Sequence, residues 1–217
     1  MNKLSSIFFL LCTISWAHSA EEVAPESLLI KAENGDAVAQ FELGMALDDG
    51  ELFGPKVRES FSWIRQAADQ GLADAEYQVG VMYLQGRGTP QNTSLAQDFV
   101  ERAALSGISG AQLQMGEFRL AEEEYELAYI WFALGAAGAD YEERFNLAIE
   151  LRDIAAIDIP LTRMPTLQSF VTLCFDSGIA NCNPENDFDE ITEINSNATA
   201  PENLDQTSAS DLLAVLQ

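Results

Sequence analysis

The sequence predicts an all-α fold, an α/α solenoid of about four two-helix repeats with a C-terminal capping helix and a disordered acidic tail. Three observations support this prediction. A segment of similar sequence recurs every 36 residues. Apolar and small residues within each copy follow the 3.6-residue period of an α-helix. No long run of alternating β-branched residues indicates a strand.

Residues 1–20 have the composition of a secretory signal peptide. A basic start at Lys3 is followed by an apolar run over 7–14 and then by small residues, with Ala17 and Ala20 both suited to cleavage. A short membrane anchor is the alternative, but the run is too short to span a bilayer and Glu21 follows at once. We therefore expect an exported protein, periplasmic in a bacterium or else secreted, without stable membrane insertion.

Residues 21–152 contain the repeats. The first half of the unit begins at Gly35, Gly71 and Gly107, and a fourth copy begins four residues early at Ala139. The second half aligns Trp63, Phe99 and Trp131 in one column, which we interpret as core. At the front, residues 28–32 resemble a truncated copy of this second half.

Each unit is predicted to be a pair of antiparallel helices. Small residues such as Ala39, Gly44 and Ala67 would let the helix axes approach closely, while Phe41 and Trp63 would fill the space between pairs. One pair cannot bury its apolar face alone, so neighbouring pairs must stack.

Residues 153–182 are predicted to form a cap. A helix over about 164–175 places Leu167, Phe170 and Cys174 on one face, against the last repeat. In an exported chain, Cys174 and Cys182 are the only cysteines after the signal, so we predict a disulfide between them. Two unpaired thiols are the alternative.

Residues 183–217 contain no Lys or Arg and are rich in Asn, Ser, Asp and Glu. This composition predicts a disordered tail. Within it, residues 209–216 (ASDLLAVL) could form a short helix or a docking peptide, although an unstructured end is the favoured interpretation.

Composition excludes several classes of function. The chain has 35 acidic and 11 basic residues, a net charge of −24, which disfavours binding to nucleic acid and to anionic membranes. Its one histidine, His18, lies in the predicted leader. The remaining chain therefore has no Ser-His-Asp machinery and no His-ligated metal. We predict a non-enzymatic protein without cofactor or metal.

The repeat resembles the Sel-one-like repeat (SLR), a tetratricopeptide-related family, in its exported bacterial form. The best copy runs from Ala68 and Gly71 through Gly80 and Tyr83 to Gly86-Arg-Gly88. Resemblance to this family implies a right-handed α/α solenoid, a helical scaffold that holds other proteins. The third copy departs from the motif, because Arg119 replaces the aromatic residue equivalent to Tyr83.

The first helices of related solenoids line the concave side, so the resemblance implies a groove there. Two polar residues per repeat flank the presumed core column of Phe41, Tyr77, Leu113 and Phe145, and they are the candidate partner-binding residues: Gln40, Glu42, Glu76, Gln78, Gln112, Gln114, Arg144 and Asn146. Their amides and carboxylates could hydrogen-bond an extended peptide or a partner helix. The negative charge favours a basic protein partner. A merely solvated face is the alternative.

The resemblance also implies a second candidate function. A cysteine-rich exported branch of the family is linked to β-lactam binding, so a small-molecule or β-lactam-binding or hydrolysing protein of the cell envelope is the alternative. That branch bridges cysteines within each repeat, whereas the repeats of this chain contain none.

Overall fold

The structure, a computed structural model, describes residues 25–49 and 56–188. These residues include nine α-helices and one 3₁₀ turn, in the order α1 Pro25–Glu33, α2 Ala37–Asp49, α3 Val57–Asp69, α4 Ala73–Gln85, α5 Thr93–Leu105, α6 Ser109–Ala121, α7 Tyr125–Ala137, α8 Glu142–Ala156, α9 Met164–Ser177 and the turn Ile179–Asn181. Residues 184–188, the last ones described, are also helical. The predicted all-α fold is confirmed, and the described residues contain no strand. The leader over 1–20 lies outside the described residues.

Consecutive helices pack in pairs, α2 on α3, α4 on α5 and α6 on α7. A glycine at the same place in each first helix lets the pair close. At Gly80, an added Cβ would lie 2.6 Å from Cγ2 of Val100 on α5. Gly44 and Gly116 face their second helices in the same way. These glycines explain why small residues recur at this column of the repeat.

Two of the repeat glycines connect one unit to the next. Gly71 and Gly107 have φ values of +84° and +91°, in the left-handed region where a side chain is strained. They end α3 and α5 and turn the chain into α4 and α6. The fourth unit begins without such a glycine.

The first helix is the predicted half repeat. In α1, Leu28 and Ala32 are buried against Ala39 and Leu43 of α2. A nine-residue helix is therefore enough to cover the outer side of the first complete repeat.

The cap is also confirmed, because Leu167, Phe170 and Cys174 of α9 are buried in the core that Trp131 of α7 shares. The sulfurs of Cys174 and Cys182 are at bonding distance, with Cα atoms 5.1 Å apart. The predicted boundary at 152/153 falls inside α8, which continues to Ala156.

The predicted start of the disordered tail, at residue 183, is wrong for residues 183–188. This segment packs back on the solenoid, with Phe188 buried edge-to-face against Phe170 at 5.3 Å between ring centroids. Glu185 accepts a hydrogen bond from Trp131 Nε1 at 2.7 Å and pairs with Arg119 at 2.9 Å. Arg119 thus departs from the repeat motif at the place where it binds the returning chain. The rest of the predicted tail, 189–217, lies outside the described residues.

Candidate functional site

The predicted row of polar residues on the first helices divides into a buried set and an accessible set. Gln40, Glu76 and Gln112, five positions after each repeat glycine, are all buried, and Gln112 is wholly so. The prediction that these three side chains line an accessible surface is wrong. They lie near the start of each first helix, where it meets the end of the preceding second helix.

The two buried glutamines make the same contact in successive repeats. Gln40 Nε2 donates to the carbonyl of Ala32 at the end of α1, and Gln112 Nε2 donates to the carbonyl of Ala104 at the end of α5, both at 3.1 Å. Each amide therefore adds a second donor to a carbonyl in the last turn of the preceding helix, which also accepts from the backbone N–H of the repeat glycine three residues on. These side chains hold adjacent repeats together.

Glu76 occupies the same position in the second repeat but cannot donate as an amide does. Its Oε1 instead accepts from Nε of Arg102 at 2.7 Å. The Arg102 guanidinium also lies over the ring of Phe99, 4.1 Å from its centroid. The buried carboxylate is thus compensated within its own repeat, and it is not available to a partner.

The second set of predicted residues remains accessible. Glu42 and Asn146 are exposed, and Gln78 and Gln114 are half-buried. Gln114 Nε2 donates to Glu117 at 2.7 Å. Partner binding by these four side chains stays a prediction.

Arg144, the remaining predicted residue, is held by its own helix start. It donates to Asp140 at 2.8 Å and to the Tyr141 hydroxyl at 2.6 Å, and its guanidinium stacks on the Tyr141 ring at 4.4 Å. Its positive charge is therefore already neutralised by a neighbouring carboxylate.

Of the predicted residues, Gln114 and Arg144 line a concave pocket of about 270 Å³ between α4, α6 and α8. Its walls include the ring of Tyr77, the side chains of Leu113 and Leu147, and the polar groups of Gln114, Glu117, Tyr141, Glu143 and Arg144. The pocket lies on the side of the solenoid formed by the first helices.

Gly110 shapes the wall between α4 and α6. A Cβ at this position would lie 2.9 Å from the Tyr77 ring, so glycine is what allows the ring to rest against α6. Burial raises the pKa of the Tyr77 hydroxyl, while Arg144 acts in the opposite direction and Glu117 adds to the rise. Tyr77 thus presents a neutral aromatic face to the pocket.

The repeat pattern predicts Tyr77 to lie in a core column and does not predict this role at the pocket. Tyr77 and Phe41 are only half-buried, Phe145 is 46% exposed, and only Leu113 of that column is buried. The signal was the glycine at 110, where the earlier copies have Val38 and Asp74. A glycine inside a helix, away from its end, often marks a close approach by another group.

Residues 25–49 and 56–188 hold no group of three or more His, Cys, Asp or Glu side chains arranged to bind a metal ion. Within the same ranges, no helix is both long and apolar enough to cross a membrane.

Comparisons with known proteins agree with the geometry. The family model "Sel1 repeat" matches residues 37–72, 73–108 and 109–140. A Sel1 repeat protein from Oxalobacter formigenes is 30% identical, with 58% of this chain and 96% of that chain covered and a TM-score of 0.49. No curated protein matches the chain.

A second solved structure shows the same fold. It is a protective antigen of uropathogenic Escherichia coli strains that displays an SLR fold, and the TM-score is 0.58 at 24% identity. The match covers 84% of this chain but only 37% of that one. With three consecutive matches to the repeat and the helix pairs that the repeat predicts, residues 37–140 identify this chain as a member of the Sel1 repeat family.

Proposed function

We propose that this chain is an exported, non-enzymatic adaptor that binds an extended basic segment of a partner protein in the concave groove of α2, α4, α6 and α8. Sel1 repeat proteins generally act as scaffolds for protein–protein interaction. The predicted leader and the bonded position of Cys174 and Cys182 support export to an oxidising compartment.

The pocket beside Tyr77 is the observation that carries the proposal. The ring of Tyr77 stands near the carboxylates of Glu117 and Glu143, whereas the ring of Tyr141 already carries the Arg144 guanidinium. Aromatic faces and carboxylates together suit a Lys or Arg side chain, through cation–π attraction and ion pairing. The only guanidinium in the wall, that of Arg144, is already paired with Asp140.

The size of the pocket favours one side chain over a whole small molecule. Its volume is about 270 Å³, whereas sites for drug-sized ligands span about 300–1,000 Å³. The accessible polar side chains on the same helices, Glu42, Gln78, Gln114 and Asn146, would hydrogen-bond the backbone of the bound segment. The net charge of −24 would speed the encounter with a basic partner.

Site-specific photo-crosslinking in the native host tests the proposal. A photoreactive residue would replace Gln78 or Gln114 in the groove, and Gln66, an exposed glutamine on α3, provides the matched control. We expect one recurrent protein at both groove positions and not at the control. Equal adducts from all three positions, or no adduct from any of them, would refute the proposal that a partner binds in the groove.

A single methyl group tests the pocket itself. Gly110→Ala places a Cβ 2.9 Å from the Tyr77 ring, whereas at Gly138 the nearest atom would be 3.6 Å away. We expect Gly110→Ala to weaken partner binding about tenfold and Gly138→Ala to leave it unchanged, with circular dichroism to confirm that both variants fold. Unchanged binding by Gly110→Ala would show that the partner does not use this pocket.

A further inference from the structure

Arg144 makes different contacts from the other residues of its repeat column. In the first and third repeats, Gln40 and Gln112 reach back and donate to the end of the preceding second helix. Arg144, the residue of this column in α8, donates instead to two residues at the start of its own helix, Asp140 and Tyr141. Its side chain lies in the wall of the pocket between α4, α6 and α8. The fourth repeat therefore places a cation where the partner is proposed to bind.

The contacts of Arg144 are of the kind proposed above for a basic residue of the partner. Its guanidinium stacks on the Tyr141 ring, 4.4 Å from the centroid, and its Nη1 donates to the Asp140 carboxylate at 2.8 Å. An aromatic face and a carboxylate are the groups that together bind a Lys or Arg side chain. A cation of the chain itself is thus already bound at the pocket.

The charge of Arg144 also acts on the ring that a guest cation would contact. Burial raises the pKa of the Tyr77 hydroxyl, and Arg144 opposes this rise, so the guanidinium lies close enough to influence the ring. A second cation that enters beside Tyr77 would meet the Arg144 charge at short range. Because like charges repel, Arg144 and a guest compete for this part of the pocket.

Arg144 is weakly held in its position. The side chain of Asp140 is 72% exposed, and Tyr141 is 51% exposed. An ion pair between exposed groups contributes little to stability, because water and salt screen it. Arg102 in the second repeat provides the contrast, since its carboxylate partner Glu76 is buried. Arg144 can therefore move at a small cost in free energy, whereas Arg102 cannot leave its carboxylate without a large one.

Negative charge remains available to a guest while Arg144 is in place. Among the described residues that line the pocket, Glu117 and Glu143 carry carboxylates in addition to Asp140, which pairs with Arg144 outside this set. A guest cation can therefore still find a carboxylate partner. The competition concerns the position beside the aromatic rings and not the supply of negative charge.

We propose that Arg144 is the specificity-determining residue of the pocket, an internal competitor that a basic side chain of the partner must displace. This inference rests on the proposed function of the pocket. A free small cation gains only the contacts of the pocket, and the Arg144 charge opposes its entry. A basic residue within a longer segment also gains contacts along α4 and α6, and these contacts offset the displacement of Arg144. The pocket thereby selects a basic residue of a peptide over a free amine or guanidinium.

A titration with a free arginine derivative tests the competition. The probe is N-acetyl-arginine amide, and its binding to the full chain is followed by the ring resonances of Tyr77, assigned with Tyr77→Phe. We expect Arg144→Gln, which removes the charge, to bind the probe about fivefold more tightly than the parent chain. Arg144→Lys, which keeps the charge, should bind the probe about as weakly as the parent. Structural damage to the pocket would weaken binding, so a gain in affinity is specific to the competition.

Arg152→Gln provides the matched control. Arg152 lies on the same helix and also pairs with an exposed aspartate, Asp153, but it is outside the pocket wall. It is eight residues from Arg144, about 12 Å along α8, which exceeds the screening length at physiological salt. Arg152→Gln removes the same unit of charge, and we expect it to change the affinity for the probe less than about twofold.

The outcomes distinguish this inference from the proposed function. Equal or weaker binding of the probe by Arg144→Gln than by the parent chain, or an equal gain in affinity from Arg152→Gln, would overturn the competition and leave a pocket that binds cations. If the probe shifts the Tyr77 resonances in none of these chains, the competition and the cation-binding function of the pocket would both be overturned.

Discussion

The substitution Gln112→Glu tests whether this buried position needs a hydrogen-bond donor, because glutamate has nearly the same shape as glutamine. Gln112 is completely buried, and its Nε2 donates to the carbonyl of Ala104 at 3.1 Å. Gln112→Glu removes this donor and turns a carboxylate oxygen towards the carbonyl. The equivalent Glu76 is tolerated because Arg102 pairs with it. In the aligned position of α7 the third repeat has the buried Leu134, so the new carboxylate would have no such partner.

The expected loss in free energy of unfolding follows from the contrast between Glu76, which Arg102 pairs, and a carboxylate at position 112, which no cation would pair. A buried charge without a partner costs about 3–5 kcal/mol. Gln112→Met, which removes the amide without adding charge, should cost about 1 kcal/mol or less. The smaller value follows because the Ala104 carbonyl also accepts from the Gly107 amide at 3.0 Å, while Oε1 of Gln112 has no partner to lose.

Urea unfolding followed by far-ultraviolet circular dichroism measures both variants, with Gln66→Glu on the exposed face of α3 as the control. Burial raises the pKa of a carboxyl group, so the neutral acid is the form that the fold accepts. The deficit of Gln112→Glu should therefore be largest at about pH 8 and shrink towards about pH 5. If Gln112→Glu lowers the free energy of unfolding no more than Gln112→Met does, or if its loss does not change with pH, the burial argument is refuted.

Three further predictions concern other contacts. Glu185→Ala should lower the free energy of unfolding by about 2–3 kcal/mol, because the buried Trp131 indole N–H loses its acceptor; a loss below about 0.5 kcal/mol in urea would show that the returning segment contributes little. Gly80→Ala should lower the free energy of unfolding by about 1–3 kcal/mol, because its Cβ would lie 2.6 Å from a valine methyl group of α5. Gly138→Ala, where φ is −94° and the nearest neighbouring atom is 3.6 Å away, should leave the free energy of unfolding unchanged or raise it by up to about 1 kcal/mol. Similar melting temperatures for the two variants would contradict this prediction. Burial raises the pKa of Asp48 despite an arginine partner at 2.9 Å, so the parent chain loses stability as the pH rises above the ordinary pKa of an aspartate and the buried acid ionises. Asp48→Asn cannot ionise and should therefore gain stability relative to the parent chain as the pH rises above about 4. Parallel stability profiles of the two chains against pH would contradict this prediction.

Much of the fold could be predicted because each repeat carries the same local signals. The glycines at 71 and 107 end helices whatever their surroundings, and Gly80 recurs because two helices must close on each other. The half repeat at Leu28 and the cap at Leu167 were predictable from helical spacing alone, since both bury one apolar face.

The candidate site was less predictable, because helical period alone does not distinguish a concave surface from a junction between repeats. Gln40 and Gln78 differ by two positions within the unit, yet the first is buried on the preceding helix and the second is only half-buried. The contact between Trp131 and Glu185 joins residues that are 54 apart in sequence, so no local sequence pattern predicts it.

The connection within the third repeat is much shorter than that within the second. Three residues, 122–124, join α6 to α7, whereas seven residues, 86–92, join α4 to α5. By the logarithmic dependence of loop-closure entropy on length, the shorter connection lowers the cost of bringing its helices together by about 0.7 kcal/mol. The α6–α7 pair also encloses Trp131 and Phe132, both completely buried. Folding is therefore expected to nucleate in this pair and to spread along the array towards α1 in one direction and α9 in the other.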